Sequence, residues 1–521
     1  MKSDKYRSYM PYVYLMALLP AMLFRDYTPA NELRYLSIAD EALRDGHLFA
    51  FTNHGMLYAD KPPLYIWIVM AGKYLLGRHY IWFLSLFSFV PALVIIRTMN
   101  KWVRECSDRL VGLDSEIVLM SCGMFLGMAI FVRMDMMMSM FVILSLYIFW
   151  QMLQGKISDG KGGVLFATYI FLAVFTKGPF GILIPLVSTV SYLIAIHRHH
   201  EIWRFWGLRV WMLLLAAFGL WFFLSWREGG APYLHNLLFH QTFGRAVNAF
   251  HHREPFYYYF VSYWYSLAPW SLLFAVVFVE ARRQHVRLYD FEKFFLVVLL
   301  CIAVMLSLCS SKLAVYLLPA FPFIVYLAVS LMSRMRICRW MELSISLPAI
   351  LFCLLPVAAF VIPPCRLVVL SSGVWSIVTL ASLLVVGVVL LFVLYRQRKY
   401  MVSIRMLAFG MFLILFFSGM SLPSTNHYVG YGDLCRQASA VEKKNHTNTY
   451  YTWHISRSDN MDVYLGKRVY EVSDKQLMSG CCRGGVVMLS ERYLKKDMQL
   501  SRFLSHYRCY YCDGYVAVKC M

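Results

Sequence analysis

Apolar stretches of membrane-spanning size recur between residues 10 and 422, separated by short loops rich in Lys and Arg. A stretch of about twenty apolar residues that crosses lipid must satisfy its own backbone, so each one dictates a helix. The chain has 521 residues, 60% of them hydrophobic, where a soluble domain is nearer half apolar. The reading is a polytopic membrane protein. The formal charge of +21 sits in the loops GKISDGKGG, HRHHEIWR, ARRQHVR, SRMRICR and RQRK. That distribution follows the positive-inside pattern and argues against nucleic acid as a partner. The 13 cysteines show no paired CxxC of zinc-finger spacing, and Cys509 and Cys512 form a lone CxxC.

A short basic start precedes the first apolar helix, 10–24, which lacks a small-residue cleavage site and reads as a retained anchor with its N-terminus inside. The charged loop that follows then lies outside. The stretch 62–77 is too short to span and carries Lys73, so it is expected to lie along the outer interface. With that choice the basic loops all fall inside, and about thirteen crossings result, with an external C-terminus. The expected domains are 1–422, transmembrane, with long external loops at 25–80 and 226–256, and 423–521, a small external α/β domain. In the latter, 449–453, 485–489 and 515–518 read as strands, and 434–444 and 493–505 as helices. Its six cysteines (Cys435, Cys481, Cys482, Cys509, Cys512, Cys520) could pair in an oxidising compartment.

Unusual polar residues collect on the external side. The first loop offers Glu32, Arg34, Tyr35, Asp60 and Lys61; the 226–256 loop offers His235, His240, Arg245, His251, His252, Arg253 and Glu254; the SSKLAVY turn offers Lys312 and Tyr316. Cations among aromatics beside a membrane suit a phosphate at headgroup depth. Carboxylates suit a general base or a metal ligand. Plainer roles also fit. Residues 32–44 have the pattern of an amphipathic helix, Lys61 can snorkel, Asp135 can pair with Arg133 at a helix end, and Lys177 can anchor at the interface.

The ordered set ANELRYLSIADEAL, DKPPLYIW, FTKGP, HHREPFYYYF, LAPW and SKLAVYLLPAFP resembles the GT-C membrane glycosyltransferases, most closely the aminoarabinose-transferase-like branch. That branch is related to the dolichyl-phosphate-mannose protein mannosyltransferases. The resemblance implies an all-α polytopic GT-C fold of about thirteen transmembrane helices, interfacial helices in the first external loop, and the external α/β domain. It implies a monomer in a bacterial inner membrane with periplasmic catalytic loops. A polyprenyl-phosphate-linked sugar would be the donor; lipid A, another glycan or a protein would be the acceptor. No nucleotide is needed, because the donor's own leaving group stores the energy.

Residue by residue, the family's acidic pair followed by Thr-Arg-Tyr aligns with Asn31-Glu32, then Leu33-Arg34-Tyr35. The family's Glu-Lys-Pro aligns with Asp60-Lys61-Pro62, the lysine holding the polyprenyl phosphate, with Arg253, Lys312 and Tyr316 as further substrate-binding residues. Asp60 and His252 match a metal pair, implying a divalent Zn or Mg. Asn31 departs from the family acid, and an amide cannot serve as a base. Glu32 could act in its place; the acceptor could be a phosphate that needs little base assistance; or the chain could be a non-catalytic lipid-binding homologue. A transporter or flippase is a further alternative, although no internal repeat supports it.

Overall fold

A computed structural model describes the chain except residues 1, 107–108, 240–253, 364–365, 367–368, 370–371, 446–448, 505–506, 508, 513 and 520–521. The first half runs α1 (Lys2–Phe24), α2 (Glu32–Asp45), α3 (Pro63–Leu76), α4 (Ile81–Arg104), α5 (Arg109–Met120), α6 (Gly123–Met128), α7 (Asp135–Leu153), α8 (Asp159–Lys177) and α9 (Phe180–Ala195). Among the described residues eight helices are long and apolar enough to cross a membrane. A ninth is possible if Tyr258–Ser266 and Ser271–Arg283, bent by 112°, form one span. The count of about thirteen is therefore not reached by length and composition, although every expected crossing falls on a helix or a pair of helices. The α3 helix, 14 residues long, is among the shorter apolar helices, as the interfacial reading of 62–77 requires.

The bundle closes around aromatic side chains. Trp102 of α4 is buried and meets Tyr147 and Trp150 of α7, Phe294 and Phe295 of Asp290–Leu308, and Phe323 of Phe321–Met332, with centroids 5.1–6.2 Å apart. Such contacts hold helices together where lipid removes the hydrophobic drive. A buried polar knot adds to them: Glu116 accepts from Tyr14 (3.1 Å) and Asn100 (2.6 Å), and Tyr326 donates to Asn100 (2.7 Å).

The C-terminal unit carries a five-stranded sheet of β3 (Tyr450–Trp453), β4 (Val469–Glu471), β5 (Val486–Ser490), β6 (Cys509–Cys512) and β7 (Tyr515–Lys519) in the order β4-β3-β5-β7-β6. Strand β3 runs parallel to β4 and β5, whereas β7 is antiparallel to β5 and β6. Helix Gly432–Asn445 covers it. No disulfide joins the described cysteines of this unit, Cys435, Cys481, Cys482, Cys509 and Cys512.

This unit sits on the first loop. Asp26 accepts from the Gly432 backbone (2.8 Å) and from the Tyr464 hydroxyl, and Asn426 donates to the Phe24 carbonyl (2.7 Å). A Cβ on Gly430 would lie 2.3 Å from the Asp26 carboxylate, so only glycine allows this approach. Leu33 and Leu36 of α2 share one buried cluster with Leu434, Tyr450 and Val486. The amphipathic face read for α2 is real, and it packs against α3 and against the helical turns 458–465 of the C-terminal unit.

Candidate active site

Most acids of the first loop turn inward and hold the loop's own backbone. Glu32 is completely buried. Its oxygens accept from Arg25 Nη1 (2.6 Å) and Nη2 (2.8 Å), Thr28 N (2.7 Å) and Oγ1 (2.9 Å), and Val132 N (2.6 Å). Five donors on two oxygens leave no lone pair for a substrate proton. The expectation that Glu32 is the base meets this geometry: its observed work is to tie α1, the start of α2 and the α6–α7 turn together. Glu41 accepts from Thr52 Oγ1 (2.7 Å), His54 N (2.6 Å) and Gly55 N (2.8 Å). It thereby seats a hairpin of β1 (Thr52–Asn53) and β2 (Met56–Leu57) whose central residues both have positive φ, 55° and 80°. Asp40 meets Lys73 and His79, each at 2.6 Å.

The next stretch of the loop is held from the other side. Glu228 accepts from Leu48 N (2.7 Å), Phe49 N (3.0 Å) and Ala50 N (3.2 Å). It lies on Leu208–His235, a helix broken at Gly230 (φ 71°) that runs on to Phe239. The expected loop 226–256 is thus helical through its described first part. Trp67 of α3 donates to the Leu48 carbonyl (2.6 Å) and lies 5.3 Å from both Phe49 and Phe175.

Once these acids are accounted for, Asn31, Arg34 and Tyr35 stand out. Asn31 is the N-cap of α2, yet its side chain makes no capping hydrogen bond. Arg34 is half-buried and has no ion-pair partner among the described residues. Tyr35 is buried 5.8 Å from the Tyr65 ring; burial pushes its phenol up, against the pull of Arg133 and Arg34. Asp60 and Lys61 are half-buried just ahead of α3, with Asp60 in electrostatic reach of Tyr233.

A second group escaped the assignment from sequence. Asp135, 1% exposed at the start of α7, accepts from Arg133 Nε (2.9 Å) and from the Lys177 ammonium at the end of α8. Lys177 also lies 4.5 Å from the Tyr316 ring. The Arg133–Asp135 pair is the one expected at a helix end, but Lys177 is enclosed and not an interfacial anchor. Arg133 and Asp135 act electrostatically on Tyr35, which brings this triad to the α2 group. The available signal was that VRMD and TKGP, two short turns between apolar stretches, each place charge at a helix end.

Lys312 is buried and donates to the carbonyls of Cys309 (2.6 Å) and Glu254 (3.1 Å), so its charge closes the end of Asp290–Leu308. His252 and Arg253, with His240, Arg245 and His251, lie outside the described residues. Among the described residues no three His, Cys, Asp or Glu side chains gather to hold a metal. Asp60 is the described member of the expected pair.

A membrane helix bundle with an α/β unit seated on its first loop is the GT-C fold of glycosyltransferases. The particular likeness is to ArnT from Cupriavidus metallidurans bound to undecaprenyl phosphate: TM-score 0.78 at 17% identity, over 99% of this chain and 98% of that one. No family model matches the sequence. An uncharacterised protein of Aquifex aeolicus is 24% identical over 451 residues, 84% of each chain. The undecaprenyl phosphate-alpha-4-amino-4-deoxy-L-arabinose arabinosyl transferase 1 of Pseudomonas fluorescens (strain Pf0-1) is 23% identical over 337 residues. That match covers 62% of this chain and 56% of the relative's length. The resemblance carried by the sequence motifs is thus borne out in relatives and in fold.

Proposed function

We propose that the chain is an integral-membrane glycosyltransferase that moves a sugar from a polyprenyl-phosphate donor to an anionic acceptor. The observation that carries this reading is Arg34, a half-buried arginine without an ion-pair partner among the described residues, in the first turn of α2. A helix start with a spare guanidinium suits a phosphate. The ArnT likeness over nearly the whole chain supports the same donor class.

In this mechanism Lys61 and Arg34 hold the donor phosphate and stabilise the charge that grows on it as the bond to the anomeric carbon breaks. The acceptor oxygen attacks that carbon from the opposite face, the carbon–oxygen bond to phosphate breaks, and the phosphate departs with the electron pair. The configuration inverts. Asn31 hydrogen-bonds the acceptor, while the Arg133–Asp135–Lys177 triad and Tyr35 position it. Glu32 is saturated and Asp135 is paired with two cations, so neither takes a proton. An acceptor that arrives already ionised, such as a lipid phosphate, needs none taken. The reading places the site on the periplasmic side of an inner membrane, as the basic loops suggest.

Binding of undecaprenyl phosphate to detergent-purified protein tests the donor half of the proposal. The ligand should raise Tm of the wild type, and Arg34→Ala should weaken binding about tenfold, the scale of one charge-assisted hydrogen bond. Equal binding by the variant would remove Arg34 from the phosphate site.

A further inference from the structure

Beside the basic turns at the other end of the bundle lies an open cavity that the transfer reaction does not use. Helix Asp290–Leu308 runs 19 residues, about 28 Å at helical rise, from these turns to the Cys309–Lys312 region beside the site. The cavity holds about 290 Å³ and is lined by Ala275, Val276, Val279, Glu280, Arg283 and Trp340. It lies between Ser271–Arg283 and Arg339–Val361.

Its two ends differ chemically. At the basic end Arg282, Arg283, Arg287, Arg336 and Arg339 are all exposed. The two turns are tied together there, Gln284 donating to the Arg336 carbonyl (3.0 Å) and accepting from its N–H (2.9 Å). The acids at this end are already engaged: Glu280 takes Arg283 Nη1 at 3.1 Å, Asp290 pairs with Lys293 at 2.8 Å, Glu292 holds Arg334, and Glu342 accepts from the Tyr400 hydroxyl. Five exposed arginines, with Lys293 and Arg334, against those four acids leave the mouth of the cavity positive. Away from it the lining is apolar, with Ala275, Val276 and Val279 on one helix and Trp340 on the other; beyond the cavity Leu343 and Leu347 follow Trp340 at helical spacing, 47% and 45% exposed. Arg339–Val361 is long and apolar enough to cross a membrane, which puts lipid around these walls.

We infer that this cavity is a binding site for an anionic phospholipid, its phosphate held by Arg283 and Arg339 and an acyl chain lying on Val276, Val279 and Leu343. Bilayer depth selects a lipid over a soluble ligand, Trp340 sits where indoles prefer the interface, and the arginine excess selects the anionic headgroup. The site is separate from the donor site and stands whether or not the transfer reaction does.

Native mass spectrometry of the full chain in detergent, with phosphatidylglycerol or phosphatidylcholine added, reads the site directly. Wild type should retain phosphatidylglycerol in preference. Arg283→Gln with Arg339→Gln should reduce that retention about fivefold for each arginine removed. Val279→Trp, which fills the cavity and leaves every charge in place, should reduce it as well. Equal retention of the two lipids by wild type, or undiminished retention in either variant, would overturn the inference; loss in the arginine variant alone would mean diffuse surface attraction, not a site.

Discussion

Glu32 shows how one residue's surroundings redirect its chemistry. It meets Arg25 in a bidentate pair, the guanidinium side chain 5% exposed and the carboxylate fully buried. Removing one charge of such a pair leaves the other buried without compensation, at about 3–5 kcal/mol. Glu32→Gln should therefore lower Tm markedly in detergent and reduce activity through loss of folded protein. A variant with wild-type Tm and no turnover would return Glu32 to the role of base. The sequence shows Glu32 as an acid in a charged loop next to an expected catalytic position. Its real partners are the Thr28 and Val132 N–H groups, which no letter of a sequence displays, and Arg25 seven residues earlier. The same blindness applies to Glu41 and Glu228, which also collect backbone donors. Charge was legible; its direction was not.

Among the elements, those with a clean period were readable in advance. The stripe of α2, the apolar start of α3 behind Pro62, and strands β3, β5 and β7 fall where pattern puts them. Strands β4 and β6 were missed because they are edge strands of three and four residues with mixed exposure. The helix Leu208–His235 was cut short because Gly229, Gly230 and Pro232 look like a loop, whereas the chain bends at Gly230 and remains helical.

The seam between α2, the β1–β2 hairpin and the C-terminal unit carries its own prediction. Asp462 accepts from Ser37 (2.8 Å) and faces His54 (3.7 Å), with Asp459 (3.5 Å from His54), Asp40 and Arg44 nearby. Burial pushes its carboxyl up to about 6, against the Ser37 hydrogen bond and the His54 ring. The folded protein then holds a proton that the unfolded chain releases near pH 4, so this group's contribution to stability falls as pH rises from about 4 to 6. Asp462→Asn, which mimics the protonated acid, should raise Tm at pH 7.5, and the gain should shrink as pH is lowered to 5. A gain independent of pH would rule out this titration.

At the scale of the whole molecule, the bundle presents cations and an uncapped helix start to one end and closes that end with the C-terminal sheet. Arg34 and Lys61 come from the first loop, the Arg133–Asp135–Lys177 triad from the short turns, and Asp26 and Asn426 lock the sheet onto them. Glu32, Asp40, Glu41, Asp135 and Glu228 are all engaged with backbone or cations, and this directs the proposed reaction toward an acceptor that brings its own negative charge. The central claim is most directly measured by sugar transfer in proteoliposomes, from a panel of polyprenyl-phosphate-linked sugars to lipid A, compared with the same lipid A stripped of its phosphates. The account predicts transfer to the phosphorylated lipid, loss of it in Lys61→Ala, and none to the stripped lipid. Equal transfer to both lipids would contradict the base-free mechanism, and no transfer from any sugar of the panel, beside an active transferase control, would contradict the proposed donor class.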